Sequence, residues 1–183
     1  MAFPRTLSLV KRNNEWILLS NPFKSTPPLT QDAYTWELET KVKDKQEVLV
    51  KSQVIAMEVE WQVQKNTTAG VRIAVNGQRG FVIGYDARRQ KLFIDRSNAS
   101  DTNFHKDFNA WSKYEATLIP DSGRISLQIL YDKSIVEVFA NNGEVNMTAQ
   151  IFTDEKNNGI EVFSKGSPTT FTKLTVFTLK PVW

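Results

Sequence analysis

Apolar and polar residues alternate with a period of two through much of this chain, and no other feature constrains its fold as strongly. In the segment 54–63 every second residue from Ile55 to Val63 is apolar, and Ala56, Glu58, Glu60 and Gln62 separate them. The segment 124–131 repeats the pattern. Such alternation is typical of half-buried β-strands that present one face to a core.

Turn residues separate the alternating segments. Asn76-Gly77, Asp121-Ser122-Gly123, Asp132-Lys133 and Asn141-Asn142-Gly143 each lie between two of them. Asn and Gly tolerate the positive φ that tight hairpins require. The sequence predicts strands near residues 5–10, 15–20, 35–41, 54–63, 70–76, 80–86, 91–96, 113–120, 124–131, 134–140, 145–152, 159–164 and 169–180.

Short strands at regular spacing favour an all-β fold, and we predict a two-sheet antiparallel β-sandwich. A chain of 183 residues is long enough to bury one two-layer core, so a single domain over 1–183 is expected. No segment predicts an amphipathic helix. The segments 21–33 and 97–112 are predicted to be the long connections.

Composition excludes several classes of function. The net charge is only +3, and basic residues alternate with acidic ones, as in 41–47, so no nucleic-acid surface is predicted. There is no cysteine, which excludes disulfides and thiolate metal sites. The one histidine, His105, is expected to be solvated, and no metal or cofactor is predicted. No apolar stretch approaches the roughly 20 residues that span a bilayer, so no membrane partner is predicted.

Paired carboxylates are the remaining route to glycoside hydrolysis. Glu58 and Glu60 share a strand face and could form an acid–base pair, but polar residues are also expected on the outer face of a half-buried strand. We favour the second interpretation and predict no catalytic residue. The other strand carboxylates considered are Asp95, Glu115, Glu137 and Glu161.

Glu137 is unusual because it shares a strand face with Ile135 and Phe139. A carboxylate on an apolar face needs a partner. We predict a structural ion pair between Glu137 and either Arg96 or Arg124.

The segment 131–144, Tyr-Asp-Lys-Ser-Ile-Val-Glu-Val-Phe-Ala-Asn-Asn-Gly-Glu, resembles a signature of the C-terminal β-sandwich of glycoside hydrolase family 32. That signature runs Asp-Arg-Ser-x-Val-Glu-Val-Phe-x-Asn-x-Gly-Glu, and Lys133 replaces its Arg. Further segments resemble the family in the same order: Pro-Arg-Thr-Leu-Ser-Leu at 4–9, Gly-Tyr-Asp at 84–86, Leu-Phe-Ile-Asp-Arg-Ser at 92–97, and the closing strand at 171–179. The structural motif residues are Asp95, Asp132, Ser134 and Glu137.

The resemblance implies a jelly-roll sandwich of the concanavalin A-like lectin and glucanase type. Family members, which include levanases, exo-inulinases and invertases, carry their chemistry on an N-terminal five-bladed β-propeller. Its Asn-Asp-Pro-Asn-Gly, Arg-Asp-Pro and Glu-Cys motifs do not occur here. We therefore expect a C-terminal domain whose propeller lies upstream in a longer protein, which is expected to be secreted or periplasmic, with the cytoplasm as the alternative.

The resemblance leaves two functions and a less favoured third. In the first, the domain packs on the propeller and stabilises it, and could mediate homodimer formation. Trp16, Phe23, Trp36 and Phe108 are candidates for that surface, with core packing as the alternative for each. The less favoured function is that of an independent hydrolase, which predicts activity from this chain alone.

The second function is a carbohydrate-binding module that recognises terminal fructose of a fructan. Sugar sites combine an exposed aromatic ring with polar side chains that bind hydroxyls. Trp111, Asp107, Asn109 and Arg96 are the candidate residues for such a site.

Overall fold

Antiparallel strands make up nearly all of the computed structural model, which describes residues 3–12, 14–23, 30–36, 39–99 and 106–179. The strands are β1 Arg5–Arg12, β2 Glu15–Pro22, β3 Thr30–Thr35, β4 Thr40–Val48, β5 Val54–Gln62, β6 Thr68–Asn76, β7 Arg79–Asp86, β8 Lys91–Asp95, β9 Lys113–Thr117, β10 Arg124–Asp132, β11 Ile135–Ala140, β12 Val145–Gln150 and β13 Gly159–Leu179. A short helix, α1 Lys106–Ala110, precedes β9. No helix among the described residues is long and apolar enough to cross a membrane.

The last strand, β13, belongs to both layers of the sandwich. Its first part, 159–165, pairs with β6, and its second part, 171–179, pairs with β5 and β3. The strand β4 pairs with both parts, along 160–164 and along 169–171. The pairing with β4 shifts register between Ser164 and Thr169, and Gly166 has φ +106° there. One layer therefore runs β9-β8-β7-β6-β13 and the other runs β12-β11-β10-β5-β13-β3, and β4 lies beside β13 where the two layers meet. The predicted antiparallel sandwich is confirmed.

Apolar side chains from both layers form one core. On β5 the alternation places Ile55, Met57, Val59 and Trp61 inside, each at most 1% exposed. The ring of Trp61 lies 5.7 Å from that of Phe171 on β13. Burying one large apolar side chain contributes about 1.5–3 kcal/mol, so this core dominates the stability of the fold.

Several predicted boundaries differ from the structure. The connection expected at 21–33 overlaps β3, which begins at Thr30. In place of the strand expected at 35–41, the structure has the two strands β3 and β4. The alternation pattern does not reveal β4, because this strand is polar and buries only Val42 and Val48. The strands expected at 159–164 and 169–180 form the single strand β13. The connection expected at 97–112 contains α1.

The first two strands stand apart as a separate sheet. β1 and β2 pair only with each other among the described residues, in a register that sets Leu9 opposite Leu18. This hairpin reaches the sandwich at β11 and the turn after it, where the Ser20 amide donates to the Gly143 carbonyl at 3.0 Å.

Candidate functional site: the hairpin and the strand that holds it

Glu137 is fully buried on the outer face of β11 and binds the start of the hairpin. Its Oε2 lies 2.6 Å from an Nη atom of Arg5, and its Oε1 accepts a hydrogen bond of 2.6 Å from the Phe3 amide. Both carboxylate oxygens are thus satisfied, as a buried charge requires. Glu137 is paired as predicted, but the predicted partners are wrong.

The two arginines proposed for Glu137 have other roles. Arg96 donates to the backbone carbonyls of Gln150 and Phe108, and Arg124 pairs with Glu60 at 3.2 Å. Arg5 precedes Glu137 by 132 residues, so only the folded chain brings them together.

Arg5 makes two further contacts with the sandwich. Its guanidinium lies 5.1 Å from the centroid of the Phe139 ring, and an Nη atom lies 3.3 Å from Oγ1 of Thr148. Phe139 follows Glu137 by two residues on the same face of β11. A cation over an aromatic ring adds roughly 0.5–2 kcal/mol, depending on how far it is desolvated.

The turn after β11 supports the second strand of the hairpin. Gly143 has φ +81°, and a Cβ added there would lie 2.4 Å from the Ser20 carbonyl oxygen. Only glycine therefore allows this approach. One residue further on, Glu144 pairs with Arg12 at 2.7 Å.

Asn141, in the same turn, fastens the turn to the sandwich. It is 4% exposed, donates to the Ile119 carbonyl at 2.9 Å and accepts from the Ser126 amide at 3.2 Å. The N-terminal Pro-Arg motif therefore contacts the Glu-Val-Phe-x-Asn-x-Gly-Glu part of the signature. Sequence reasoning found both motifs, but nothing in their spacing shows that they meet.

The remaining motif residues shape turns. Asp95 Oδ1 accepts from the Ser97 amide at 2.9 Å, which closes the turn after β8. The Asp132 carbonyl accepts from the Ser134 amide at 2.5 Å between β10 and β11. The Ser134 carbonyl in turn accepts from the Ile151 amide at 2.9 Å. The two contacts of Ser134 hold the start of β11, the strand that carries Glu137.

One face of the hairpin exposes four large apolar side chains. Leu7, Leu9, Trp16 and Leu18 are 63%, 62%, 67% and 55% exposed, and we call them the hairpin patch. The register sets position 9 opposite 18 and position 11 opposite 16, so all four share a face. Contiguous exposed apolar side chains of this size mark interaction surfaces.

The base of that same face meets the sandwich, since Arg5 lies opposite Pro22 and Ser20 lies opposite Leu7 in the register. The hairpin patch lies on the same face of the hairpin, further along the two strands. Leu19, on the other face, is only 4% exposed. The hairpin is therefore bound to the sandwich at its base by Arg5 and near its turn by Arg12, and it presents the hairpin patch on one exposed face.

The aromatic candidates for a packing surface divide into two groups. Trp16 and Phe23 are 67% and 62% exposed, and the Phe23 amide donates to the Pro4 carbonyl at the base of the hairpin. Trp36 packs edge-on against Phe171, with ring centroids 6.3 Å apart, at the side of the core. Phe108 lies under the Arg96 guanidinium, 3.7 Å from ring centroid to Cζ.

The four residues predicted to bind sugar surround α1. Arg96 is 9% exposed and joins α1 to the end of β12 through the two backbone carbonyls it binds. Asp107 is exposed and Trp111 is 66% exposed. The side chain of Asn109 lies outside the described part of the structure, as does His105. Their role in sugar binding stays a prediction.

Three of the strand carboxylates considered for catalysis, Glu58, Glu60 and Glu161, are held in ion pairs. Glu58 pairs with Lys173 and Glu60 with Arg124, while Glu161 pairs with both Arg72 and Lys45. Each of these three carboxylates thus already binds a basic side chain of the same domain.

Glu115 is the clearest case, because the Arg89 guanidinium donates to both of its carboxylate oxygens at 2.9 and 2.6 Å. These bonds, helped by Lys113 and opposed by partial burial, lower the pKa of Glu115 from 4.5 to about 2. Burial instead raises the pKa of the Tyr85 and Tyr131 phenols. Within the described residues, no three His, Asp or Glu side chains form a group that could hold a metal ion.

Residues 24–178 match the family model described as glycosyl hydrolases family 32 C terminal. The levanase of Bacillus subtilis (strain 168) is 30% identical over 186 aligned residues, which cover 100% of this chain and 27% of the levanase. The extracellular exo-inulinase of Aspergillus ficuum is 27% identical, over 100% of this chain and 35% of that protein. This chain therefore spans about a third or less of either relative.

Solved structures show the same fold. The crystal structure of exo-inulinase from Aspergillus awamori superposes with a TM-score of 0.84 at 24% identity, over 100% of this chain and 36% of that one. Fructan 1-exohydrolase IIa from Cichorium intybus superposes with a TM-score of 0.82 at 16% identity, over 98% of this chain and 41% of that one.

Proposed function

Since this chain belongs to the C-terminal domains of glycosyl hydrolase family 32, we propose that it packs on and stabilises the catalytic domain of a fructan- or sucrose-cleaving hydrolase without taking part in the chemistry. The relatives are much longer polypeptides, so the partner would be a domain of the same protein. The observation that carries the proposal is the hairpin patch, which is exposed here and anchored at its base by the buried pair of Glu137 and Arg5.

Leaving the apolar side chains of the hairpin patch in water is unfavourable. Covering one Leu or Trp side chain contributes about 1.5–3 kcal/mol, so four of them can hold two domains together once the entropy of a tethered contact is offset. Interfaces between domains of one chain typically cover about 600–1,500 Å². The pair at the base fixes the angle at which the patch is presented.

Serine substitutions in the patch test this proposal in the polypeptide that joins this domain to its catalytic domain. Leu9→Ser with Trp16→Ser should lower the thermal unfolding temperature of the catalytic domain and shorten its half-life when heated. The matched control is Leu49→Ser, because Leu49 is 81% exposed at the end of β4, away from the hairpin. Equal effects of the two changes, or no effect of either, would contradict the proposal.

The same patch could join two copies of this chain into a homodimer. Size-exclusion chromatography with light scattering separates these assemblies. A dimer of the isolated chain that Trp16→Ser dissociates would favour self-association through the patch, whereas a monomer would favour docking within one polypeptide.

A second candidate function is recognition of terminal fructose of a fructan near α1. The observation in its favour is that Trp111 and Phe152 are 66% and 44% exposed, with Phe152 packed on Phe108 at 5.6 Å between ring centroids. Isothermal titration with levan, inulin and fructose should give heat that Trp111→Ala abolishes if this candidate is correct. The chain alone is expected to release no fructose from sucrose or levan, and turnover would favour an independent hydrolase instead.

A further inference from the structure

A polar groove crosses the outer face of the layer that contains β5, β10 and β13. It has a volume of about 220 Å³, and its polar lining residues are Glu58, Glu60, Ser126, Gln128, Asn142 and Lys173. Cross-strand pairing sets Gln128 opposite Glu58, and Ser126 opposite Glu60, in two adjacent rows. The groove is distinct from the Trp111 region and lies beside the turn that supports the hairpin.

The charges in the groove nearly cancel. Glu58 Oε2 pairs with the Lys173 ammonium at 2.5 Å, and Glu60 Oε1 lies 3.2 Å from an Nη atom of Arg124. Glu60 Oε1 also accepts from the Thr172 hydroxyl at 2.8 Å. A cation would have to displace an ammonium or guanidinium, and an anion would face two carboxylates, so neither ion is favoured.

The groove nevertheless holds hydrogen-bonding atoms that the protein does not use. In the described structure, Oε1 of Glu58 and Oε2 of Glu60 accept no hydrogen bond. The side chains of Ser126, Gln128 and Asn142, which also line the groove, form no hydrogen bond there either. Carboxylate oxygens accept, hydroxyls do both, and amides donate and accept. Donors and acceptors interspersed on a rigid sheet complement the hydroxyl groups of a neutral sugar.

From these observations we infer that the groove is a binding site for one sugar unit of a neutral fructo-oligosaccharide. Its volume is below the roughly 300–1,000 Å³ typical of larger ligand sites, which matches a single ring rather than a long chain. The choice of fructose over other neutral sugars rests on the proposed function. The site itself rests on the unused polar atoms and the balanced charge.

Titration of the ¹⁵N-labelled chain with 1-kestose, followed by NMR, tests this inference. A shallow polar groove should bind weakly, with a Kd on the order of 1 mM. The amide signals of Ser126, Gln128 and Asn142 should shift saturably, and the Kd should change little with added salt because the ligand is neutral.

Gln128→Ala should weaken the binding about fivefold or more, since it removes one amide that donates and accepts. Asn142→Gly provides a second variant, because Asn142 lies in a turn at φ 61° and glycine removes its side chain without backbone strain. The matched control is Gln46→Ala, because Gln46 is an exposed glutamine on β4 and should leave the Kd unchanged.

Several results would overturn the inference. These are the absence of saturable shifts, shifts confined to the region of Trp111, an equal loss of binding in Gln46→Ala, or stronger shifts of the groove amides with inorganic phosphate or Ca²⁺ than with 1-kestose. Binding of maltotriose as tight as that of 1-kestose would overturn the fructose assignment. Leu9→Ser tests docking of the hairpin separately, because it should leave this titration unchanged.

Discussion

At the scale of single residues, Glu137 connects two parts of the chain that lie far apart in the sequence. Its carboxylate is fully buried, whereas Arg5 is 28% exposed, so the two partners differ in what they lose when the pair is broken. An uncompensated buried carboxylate loses its hydration, but a partly exposed guanidinium can still bind water. The two single substitutions should therefore have unequal effects.

Removing Arg5 should destabilise the hairpin more than neutralising Glu137. Arg5→Ala leaves the buried carboxylate unpaired and should lower the free energy of hairpin opening by about 3 kcal/mol. Glu137→Gln keeps the shape and one acceptor and should cost about 1–2 kcal/mol. Hydrogen exchange of the β1 and β2 amides measures both values. Arg12→Ala is the control, because the pair of Arg12 with Glu144 is more exposed and should cost under about 1 kcal/mol.

Gly143 and Gly123 form a matched pair for the close approach of the hairpin. Both have a positive φ, +81° and +76°, but an added Cβ meets the Ser20 carbonyl oxygen only at Gly143 and finds open space at Gly123. Gly123→Ala should cost about 1–2 kcal/mol from backbone strain alone. Gly143→Ala should cost more, because Ser20 must also move. Urea unfolding measures the difference, and equal values would mean that the hairpin contact adds nothing.

At the scale of elements, the edge strand β9 depends on its ion pairs more than on its burial. Four of its five residues are exposed, and its one described partner strand is β8. Arg89, in the turn before β8, reaches across to Glu115 on β9 with two hydrogen bonds. Charged side chains on an edge also discourage pairing with other chains.

The contribution of Glu115 should vanish in acid. Its pKa in the folded chain, about 2, lies below the ordinary value of 4.5, so the stabilisation is fully present above that ordinary value and is lost as the pH falls towards 2. The difference in unfolding free energy between the native chain and Glu115→Gln should be constant from pH 7 to 5 and then shrink. The difference should stay within about 1 kcal/mol, because water screens a surface pair.

Glu155→Gln is the control for this titration, because Glu155 is exposed in the turn after β12. It should change the unfolding free energy by much less at every pH. A Glu115→Gln difference that persists unchanged down to pH 2 would contradict the assigned pKa.

At the scale of the whole molecule, β13 makes the two layers depend on each other. It pairs with four strands: with β6 through its first part, with β5 and β3 through its second part, and with β4 through both. Loss of this strand would remove the centre of both layers at once, and the core side chains of each layer pack on the other. Neither layer has a boundary at which it could unfold alone.

The sandwich should therefore unfold in one cooperative transition. Far-UV circular dichroism reports on the strands, and tryptophan fluorescence reports on Trp61, which is 1% exposed in the core. The two urea curves should coincide, as expected for a single two-state domain. Separate midpoints would show that the layers unfold independently.

Part of the candidate site was predictable from the sequence. The exposed Trp16 and Phe23 were selected as surface candidates, and Glu137 was recognised as a carboxylate that needs a partner. The identity of that partner was not predictable, because both Arg96 and Arg124 were plausible and a contact across 132 residues leaves no local pattern. Leu7, Leu9 and Leu18 were not identified as exposed, since alternation shows which residues share a face but not whether that face is covered.

By itself, the sequence determined most of the strands, the antiparallel sandwich and the family, because period-two alternation, turn residues and the signature segment are all local properties of the chain. Only the tertiary structure decided that β13 belongs to both layers, that β4 is a strand, and that Arg5 binds Glu137. Those outcomes depend on which edges and faces meet in space. Hydrogen bonds between distant strands and the burial of a charge depend on these tertiary contacts, and the residues next to them in the sequence do not determine them.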